Sequence, residues 1–69
     1  MQIDVDYLRR LRRNKQMKIE QAAKLIGKSR SMLWRYENGQ ASMTADTLLK
    51  LAELYEVPLE KLITDKPLP

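Results

Sequence analysis

The chain has 69 residues, 43% of them hydrophobic and 32% charged, with a formal net charge of +4. A chain of this length buries only about 60% of its unfolded surface, so the composition predicts one small folded domain over residues 1–69 with a lean core. It contains no cysteine and no histidine, which excludes disulfides and leaves only carboxylates for a metal, so we expect neither a metal nor a cofactor. Without those residues or a glycine-rich phosphate loop, an enzyme is not expected either.

Apolar residues recur at spacings of three and four, with breaks at Gly27, Gly39 and Pro58, and this pattern predicts an all-α fold of five helices. The first helix is predicted over residues 4–15, with Asp4 or Asp6 near its start. Its inward positions are then Tyr7, Leu8 and Leu11.

The second and third predicted helices are joined by a very short turn. The second spans residues 19–26 and stops at Gly27, because glycine readily takes the left-handed conformation of a helix end. Ser29 is a good N-cap for the third helix, which ends before Gly39. So short a connection forces a close crossing, and Ala22 and Ala23 supply the small residues that it requires.

The last two predicted helices complete the core. Thr44 can cap a helix over residues 45–56, and Pro58 suits the first turn of a short fifth helix that carries Leu59, Leu62 and Ile63. We expect order over residues 4–63 and a loose tail at residues 64–69. Met17 and Met43 are expected to fill gaps between helices.

The third helix concentrates the unusual residues of the chain. About 100° of rotation per residue places Leu33 and Tyr36 inward, and the opposite side is then exposed. That side carries Arg30, Ser31, Trp34 and Arg35. Two arginines beside an exposed tryptophan favour a surface that binds a polyanion, although an ordinary solvated pair of arginines and a tryptophan folded back onto the core are the plainer alternatives.

Charge is distributed unevenly along the chain. Residues 1–40 hold ten lysines and arginines against four acids, whereas residues 41–69 hold three against five. A basic surface and a slightly acidic one are therefore expected, and the pattern alone does not separate nucleic acid from a lipid surface. No segment has signal-peptide or membrane-spanning length, so we expect a cytoplasmic protein without a membrane partner.

The segment IEQAAKLIGKSRSMLWRYENG resembles the helix-turn-helix of the Cro and phage-repressor family of DNA-binding proteins, also called the xenobiotic-response-element type. LRRLRRNKQMK resembles the first helix of that family and TLLKLAELYEVPLEKLI its last two, so about residues 7–63 are covered. The resemblance implies a compact lambda-repressor-like domain whose second and third helices form the motif. It further implies a cytoplasmic, nucleoid-associated transcriptional regulator that binds double-stranded DNA.

Site residues carry over from the family position by position. The third helix enters the major groove, which makes Arg30, Ser31, Trp34 and Arg35 the base-reading residues. Arg12 matches an arginine that pairs with the glutamate at Glu37, in preference to a base contact. Phosphate contacts are implied for Lys18, Ile19, Lys28, Asn38, Gln40 and Ser42.

Two departures from the family pattern weaken the implied phosphate contacts. Lys18 and Ile19 stand where the family usually has a Ser or Thr cap followed by a DNA-contacting glutamine, and the loop QASM lacks the usual basic residues. The amides at the start of the second helix and the charge of Lys18 remain available for a phosphate. Arg9, Arg10 and Arg13 are interpreted as a solvated helix face that steers the protein toward DNA.

The favoured hypothesis is a repressor-like, sequence-specific regulator that acts as a homodimer on a pseudo-palindromic operator, with no effector evident in the sequence. Its dimer interface is predicted at Leu49, Leu59, Leu62 and Ile63, although these side chains would alternatively complete the core of each monomer. Two other hypotheses stay open: a protein-interaction module such as an antitoxin or anti-repressor, and a basic helix that binds anionic membrane or RNA.

Overall fold

The computed structural model describes residues 2–64 and contains four α-helices. These are α1 (Val5–Asn14), α2 (Ile19–Leu25), α3 (Arg30–Glu37) and α4 (Ala45–Tyr55). Each begins within one residue of the position that the sequence predicts. The predicted loose tail lies outside the described residues, except for Thr64.

Three of the helices begin at side-chain caps. The carboxylate of Asp4 accepts a hydrogen bond from the Tyr7 amide at 3.1 Å, and Ser29 Oγ accepts one from the Met32 amide at 3.1 Å. Thr44 Oγ1 accepts one from the Thr47 amide at 3.2 Å. Each bond satisfies one of the amide groups that the first turn of a helix leaves unpaired.

The prediction of five helices is wrong, because residues Leu59–Leu62 form a single 3₁₀ turn. Four residues are too few for a stable α-helix, and the turn closes through the bond from the Lys61 amide to the Pro58 carbonyl at 3.0 Å. Ile63 and Thr64, which follow the turn, are extended.

A short strand pair, which the sequence did not predict, closes the fold. Strand β1 (Gln2–Ile3) pairs antiparallel with β2 (Ile63–Thr64), with Ile3 opposite Ile63. The Asp4 amide also donates to the Leu62 carbonyl at 2.9 Å. These bonds fasten the start of α1 to the end of the described chain, and the fold is otherwise all-α.

The core lies between α1, α2, α3 and α4, and the 3₁₀ turn packs beneath it. Tyr7 and Leu11 are partly buried at its edge. The buried apolar side chains are Leu8, Ala22, Ala23, Ile26, Leu33, Tyr36, Leu48, Leu51, Ala52, Tyr55 and Leu62.

Candidate nucleic-acid interface

The α2–α3 turn sets the direction in which α3 leaves the core. Gly27 has φ +72° and Gly39, at the other end of α3, has φ +68°, both in the left-handed region that favours glycine. The Lys28 amide donates to the Ala23 carbonyl at 2.9 Å, which closes the end of α2. Ala22 and Ala23 are fully buried, and side chains this small allow the two helices to approach closely.

The two sides of α3 have opposite surroundings. Leu33 and Tyr36 are buried on the inner side. The outer side exposes Arg30, Ser31, Trp34 and Arg35, which line one open cleft together with Gln40. We call this set of five residues the outer face of α3. The structure thus brings together all four of the side chains that the sequence assigns to base reading.

The end of α3 is held by its own loop. The Gln40 amide donates to the Arg35 carbonyl at 2.8 Å, and Asn38 Nδ2 donates to the Trp34 carbonyl at 2.8 Å. The Arg35 guanidinium reaches the Gln40 carbonyl only at 3.4 Å, a long bond on the surface. The backbone of the loop is therefore fixed, while the charged end of Arg35 remains available to a ligand.

Arg12 and Glu37 form a nearly buried ion pair that joins α1 to the last residue of α3. Arg12 Nε and Nη2 donate to the two carboxylate oxygens of Glu37 at 2.8 and 3.1 Å, and Arg12 Nη1 donates to the Met17 carbonyl at 2.8 Å. The two residues are 8% and 2% exposed. A bidentate geometry in which the third guanidinium nitrogen is also hydrogen-bonded is the arrangement in which a buried charge pair is tolerated.

Arg9 makes a second bond to the same residue, which the sequence analysis missed. Its Nη2 donates to the Glu37 carbonyl at 2.8 Å and lies 3.9 Å from the Asp6 carboxylate. Arg9 and Arg12 are three residues apart and so lie on one side of α1. That spacing was the available signal, although nothing local indicates that a carbonyl lies opposite. Two arginines of α1 therefore hold the C-terminal residue of α3.

Tyr55 is buried beside this ion pair. Among the described residues its hydroxyl group has no hydrogen-bond partner. Burial, and to a lesser degree the negative charge of Glu37, raise the pKa of Tyr55 to about 12 against the opposing effect of Arg12. The phenol is therefore protonated at neutral pH.

Two further clefts border the outer face of α3. One is lined by Lys18, Ile19, Glu20, Arg12 and Arg30. The other is lined by Arg9, Arg12, Arg13, Ile19, Trp34, Glu37 and Asn38. Three of the residues that the resemblance assigns to phosphate binding, Lys18, Ile19 and Asn38, thus lie next to the residues that it assigns to base reading.

Of the other residues predicted to contact phosphate, one lies on the outer face of α3 and two do not. Gln40 lines the outer face itself, whereas Lys28 is exposed and lines none of these clefts. Ser42 lines a separate cleft with Gln2, Ile3, Val5, Ala41 and Met43. The structure therefore does not bring Ser42 to the outer face of α3.

The start of α2 is capped in a way that the sequence analysis did not predict. Lys18 has no side-chain oxygen to accept a bond, but Gln21 Oε1 accepts one from the Lys18 amide at 2.9 Å. This is the return half of a capping box. The glutamine fixes the position of Lys18 at the edge of the cleft.

The four predicted dimer residues lie in different environments. Leu49 is 47% exposed on α4, and Leu59 and Ile63 are partly buried against the core. Leu62 is fully buried, so its assignment to a dimer interface is corrected: it completes the monomer core. Its position in the 3₁₀ turn directs it inward beneath α4 and α1.

The described residues contain no helix long and apolar enough to cross a membrane. Within the same range, no group of three or more acidic side chains is placed to hold a metal ion.

Comparison with known proteins gives the family. Residues 5–62 match the helix-turn-helix domain family. A protein of Pyrococcus furiosus named "Putative HTH-type transcriptional regulatory protein" is 33% identical over 61 residues. That alignment covers 88% of this chain but 19% of the relative, so the chain spans about a fifth of the length of that curated relative. No solved structure matches the chain significantly. With the family match extending over four α-helices and the turn between α2 and α3, the chain belongs to the helix-turn-helix domain family.

Proposed function

We propose that this chain is a sequence-specific DNA-binding domain of a repressor-like transcriptional regulator, and that α3 enters the major groove. The observation that carries the proposal is the outer face of α3, where two arginines flank a serine and a tryptophan on a helix held at both ends. Within residues 2–64, Arg30 has no ion-pair partner, and the side chain of Arg35 makes only its long bond to the Gln40 carbonyl. Their guanidinium groups are available for a ligand.

The chemistry of these side chains fits the major-groove edge of guanine. An arginine donates two hydrogen bonds to guanine O6 and N7, and one such pairing contributes about 1–3 kcal/mol of discrimination against other bases. Ser31 bonds to several bases and adds little selectivity. Phosphates on either side would meet Lys18 and Asn38, which border the same face.

The orientation of α3 matters as much as its side chains, because a displacement of the helix would misalign every base contact at once. Arg12 and Arg9 hold its last residue, and Ser29 caps its first turn. A helix restrained at both ends loses little further freedom on binding, so more of the contact energy contributes to affinity.

The same proposal includes a homodimer on a pseudo-palindromic site. One helix reads too few base pairs to select a genomic site, and two copies would place their helices one turn of DNA apart, about 10 base pairs or a multiple of that. Leu49, Leu59 and Ile63 are apolar residues of the second half that retain exposed surface. Such a complex would act in the cytoplasm on the nucleoid, and it would repress wherever the site overlaps a promoter.

The test of DNA reading is selection of binding sites from a random duplex pool at about 150 mM salt, where non-specific phosphate contacts are weakened. We expect enriched sequences with dyad symmetry and guanines at fixed positions in each half. A pool without any enrichment would contradict the proposal and would favour a protein partner for this fold, such as a toxin or a repressor.

The dimer is tested separately by sedimentation with and without the selected duplex. The monomer has a mass of 8.1 kDa, so a species of twice that mass, or two protomers on one duplex, is expected. A single protomer under both conditions would contradict the dimer and leave DNA reading intact. Leu49→Glu should weaken the dimer, whereas Leu25→Glu, at another exposed leucine, is the matched control.

A further inference from the structure

Trp34 is the one large aromatic side chain on the outer face of α3, and no structural role in the core explains it. It is 45% exposed and is not one of the buried side chains that form the hydrophobic core. Its backbone carbonyl accepts the bond from Asn38, and any residue at this position would provide that carbonyl. The ring itself is therefore free to serve a ligand.

Helix geometry places this ring within the set of base-reading residues. Trp34 follows Arg30 by four residues and Ser31 by three, which puts it about 40° from Arg30 and about 60° from Ser31 around the helix axis. It lines the cleft that contains Arg30, Ser31 and Arg35, and also the neighbouring cleft that contains Arg9 and Arg13. The ring thus forms the wall between the base-reading cleft and a basic cleft.

The major groove offers one apolar feature to such a ring. Bases present donors and acceptors along this edge, and the 5-methyl group of thymine is the only hydrocarbon that an ordinary base pair exposes there. The sugar-phosphate wall would meet the arginines that line the two clefts on either side of the ring. A half-exposed indole gains most by covering an apolar group, because the free energy follows the apolar area removed from water.

We propose that Trp34 determines specificity by packing against a pyrimidine 5-methyl group next to a guanine bound by Arg30 or Arg35. This inference rests on the proposed function and adds the chemical group that the ring recognises. Thymine and 5-methylcytosine both supply that methyl group, and the experiment separates them.

The test uses the selected duplex with single-base replacements. Deoxyuridine in place of each thymine removes the methyl group and leaves base pairing unchanged. In a second arm, 5-methylcytosine replaces each cytosine beside a conserved guanine. Affinities are measured for the unmodified protein, for Trp34→Ala and for Leu25→Ala, which removes an even more exposed apolar side chain from the end of α2.

We expect deoxyuridine at one position of each half-site to weaken binding of the unmodified protein about fourfold, the value of one buried methyl group. Trp34→Ala should bind the thymine and deoxyuridine duplexes equally, whereas Leu25→Ala should retain the full difference. If affinity instead changes only when 5-methylcytosine replaces cytosine, and increases, then 5-methylcytosine is the source of the methyl group.

Equal affinity for every replacement in both arms would overturn the inference while leaving the selected site, and so the proposed function, in place. A loss that persists in Trp34→Ala would also overturn it, because another residue would then contact the methyl group. A random pool that yields no enriched site would contradict both the inference about Trp34 and the proposed function. The measurement on the unmodified protein does not require any variant to fold. A thermal melt of Trp34→Ala checks that this variant is folded.

Discussion

Arginines occur on both α1 and α3, and the two helices use them differently. On α1, Arg12 is 8% exposed and donates to Glu37 and Met17, and Arg9 donates to the Glu37 carbonyl. On α3, Arg30 and Arg35 are exposed, and the only bond either side chain makes within residues 2–64 is the long contact of Arg35 with Gln40. The same side chain is structural where the protein supplies oxygen acceptors and is available for a ligand where it does not.

This difference predicts which substitutions affect folding and which affect recognition. Removing a partner of an α1 arginine leaves a charge buried without compensation, so the effect should appear in stability. Removing an arginine of α3 leaves the fold unchanged, so the effect should appear in DNA binding.

The largest expected effect is that of Glu37→Ala. It leaves the Arg12 guanidinium buried and unpaired, which costs about 3–5 kcal/mol of folding free energy. A domain of this size has only about 3–10 kcal/mol in total, so we expect most of the cooperative unfolding transition to be lost. Urea denaturation followed by circular dichroism measures the change.

Glu53→Ala on α4 is the control, because Glu53 is exposed and lies in no ion pair of the described chain. Its unfolding free energy should change by less than about 0.5 kcal/mol. The double replacement Arg12→Met with Glu37→Leu should recover part of the lost stability, since it leaves no charge in the core. If Glu37→Ala unfolds at the same urea concentration as the unmodified protein, the ion pair contributes nothing and this part of the account is wrong.

Arg35→Ala should have an intermediate effect, confined to recognition. We expect a loss of about 1–3 kcal/mol on the selected duplex, a relaxed preference at one guanine, and an unchanged melting temperature. Competition binding with selected and random duplexes measures both quantities. Arg10→Ala is the matched control, because it removes the same charge from an exposed position on α1, where Arg10 lies 6.0 Å from the Tyr7 ring centre.

If Arg35→Ala loses the same affinity for selected and for random DNA, Arg35 contacts phosphate rather than a base. An equal loss of discrimination in Arg10→Ala would remove the distinction between the two helices altogether.

The smallest expected effect is that of Tyr55→Phe, which sharpens the description of the α1–α3 connection. At neutral pH the change removes a buried hydroxyl group without a partner in the described residues, so stability should stay the same or rise by up to about 1 kcal/mol. The folded state holds the pKa of Tyr55 at about 12 against 10.0 for an ordinary tyrosine. Because the pKa is raised on folding, the stability of the folded state is unaffected by this group below pH 10. Stability is lost as the pH rises from 10 toward 12, because over that range the unfolded chain releases the phenol proton and the folded chain keeps it.

Denaturation curves at about pH 7 and about pH 11 test this for both proteins. The unmodified protein should lose more stability between the two values than Tyr55→Phe does. Parallel losses would show that the phenol is solvated or hydrogen-bonded and that it lies outside the buried network.

Local rules explain most of the fold. The caps at Ser29 and Thr44 and the left-handed glycine at Gly27 depend on residues within three or four positions, so the sequence predicts the bounds of α2, α3 and α4 to within one residue. The outer face of α3 follows from the same periodicity, because the burial of Leu33 and Tyr36 leaves only one side for Arg30 and Trp34.

What the sequence did not predict depends on contacts between distant residues. The β1–β2 pair joins residues about sixty positions apart, and strands of two residues carry no alternating pattern. The bond from Arg9 to the Glu37 carbonyl spans 28 positions and uses a backbone acceptor, which leaves no trace in residue types. The sequence predicts Leu62 at a dimer interface, with the monomer core as the alternative, and a single 3₁₀ turn against the core buries it.

The central claim is that the α3 arginines read guanine while the α1 arginines hold the helix in place. It is tested most directly by replacing each guanine of the selected duplex with 7-deazaguanine, which removes the N7 acceptor and keeps base pairing. We predict that one replacement in each half-site lowers the DNA affinity of the unmodified protein about tenfold. The same replacement should leave the affinity of either Arg35→Ala or Arg30→Ala unchanged. Undiminished binding of the unmodified protein at every guanine would contradict the claim.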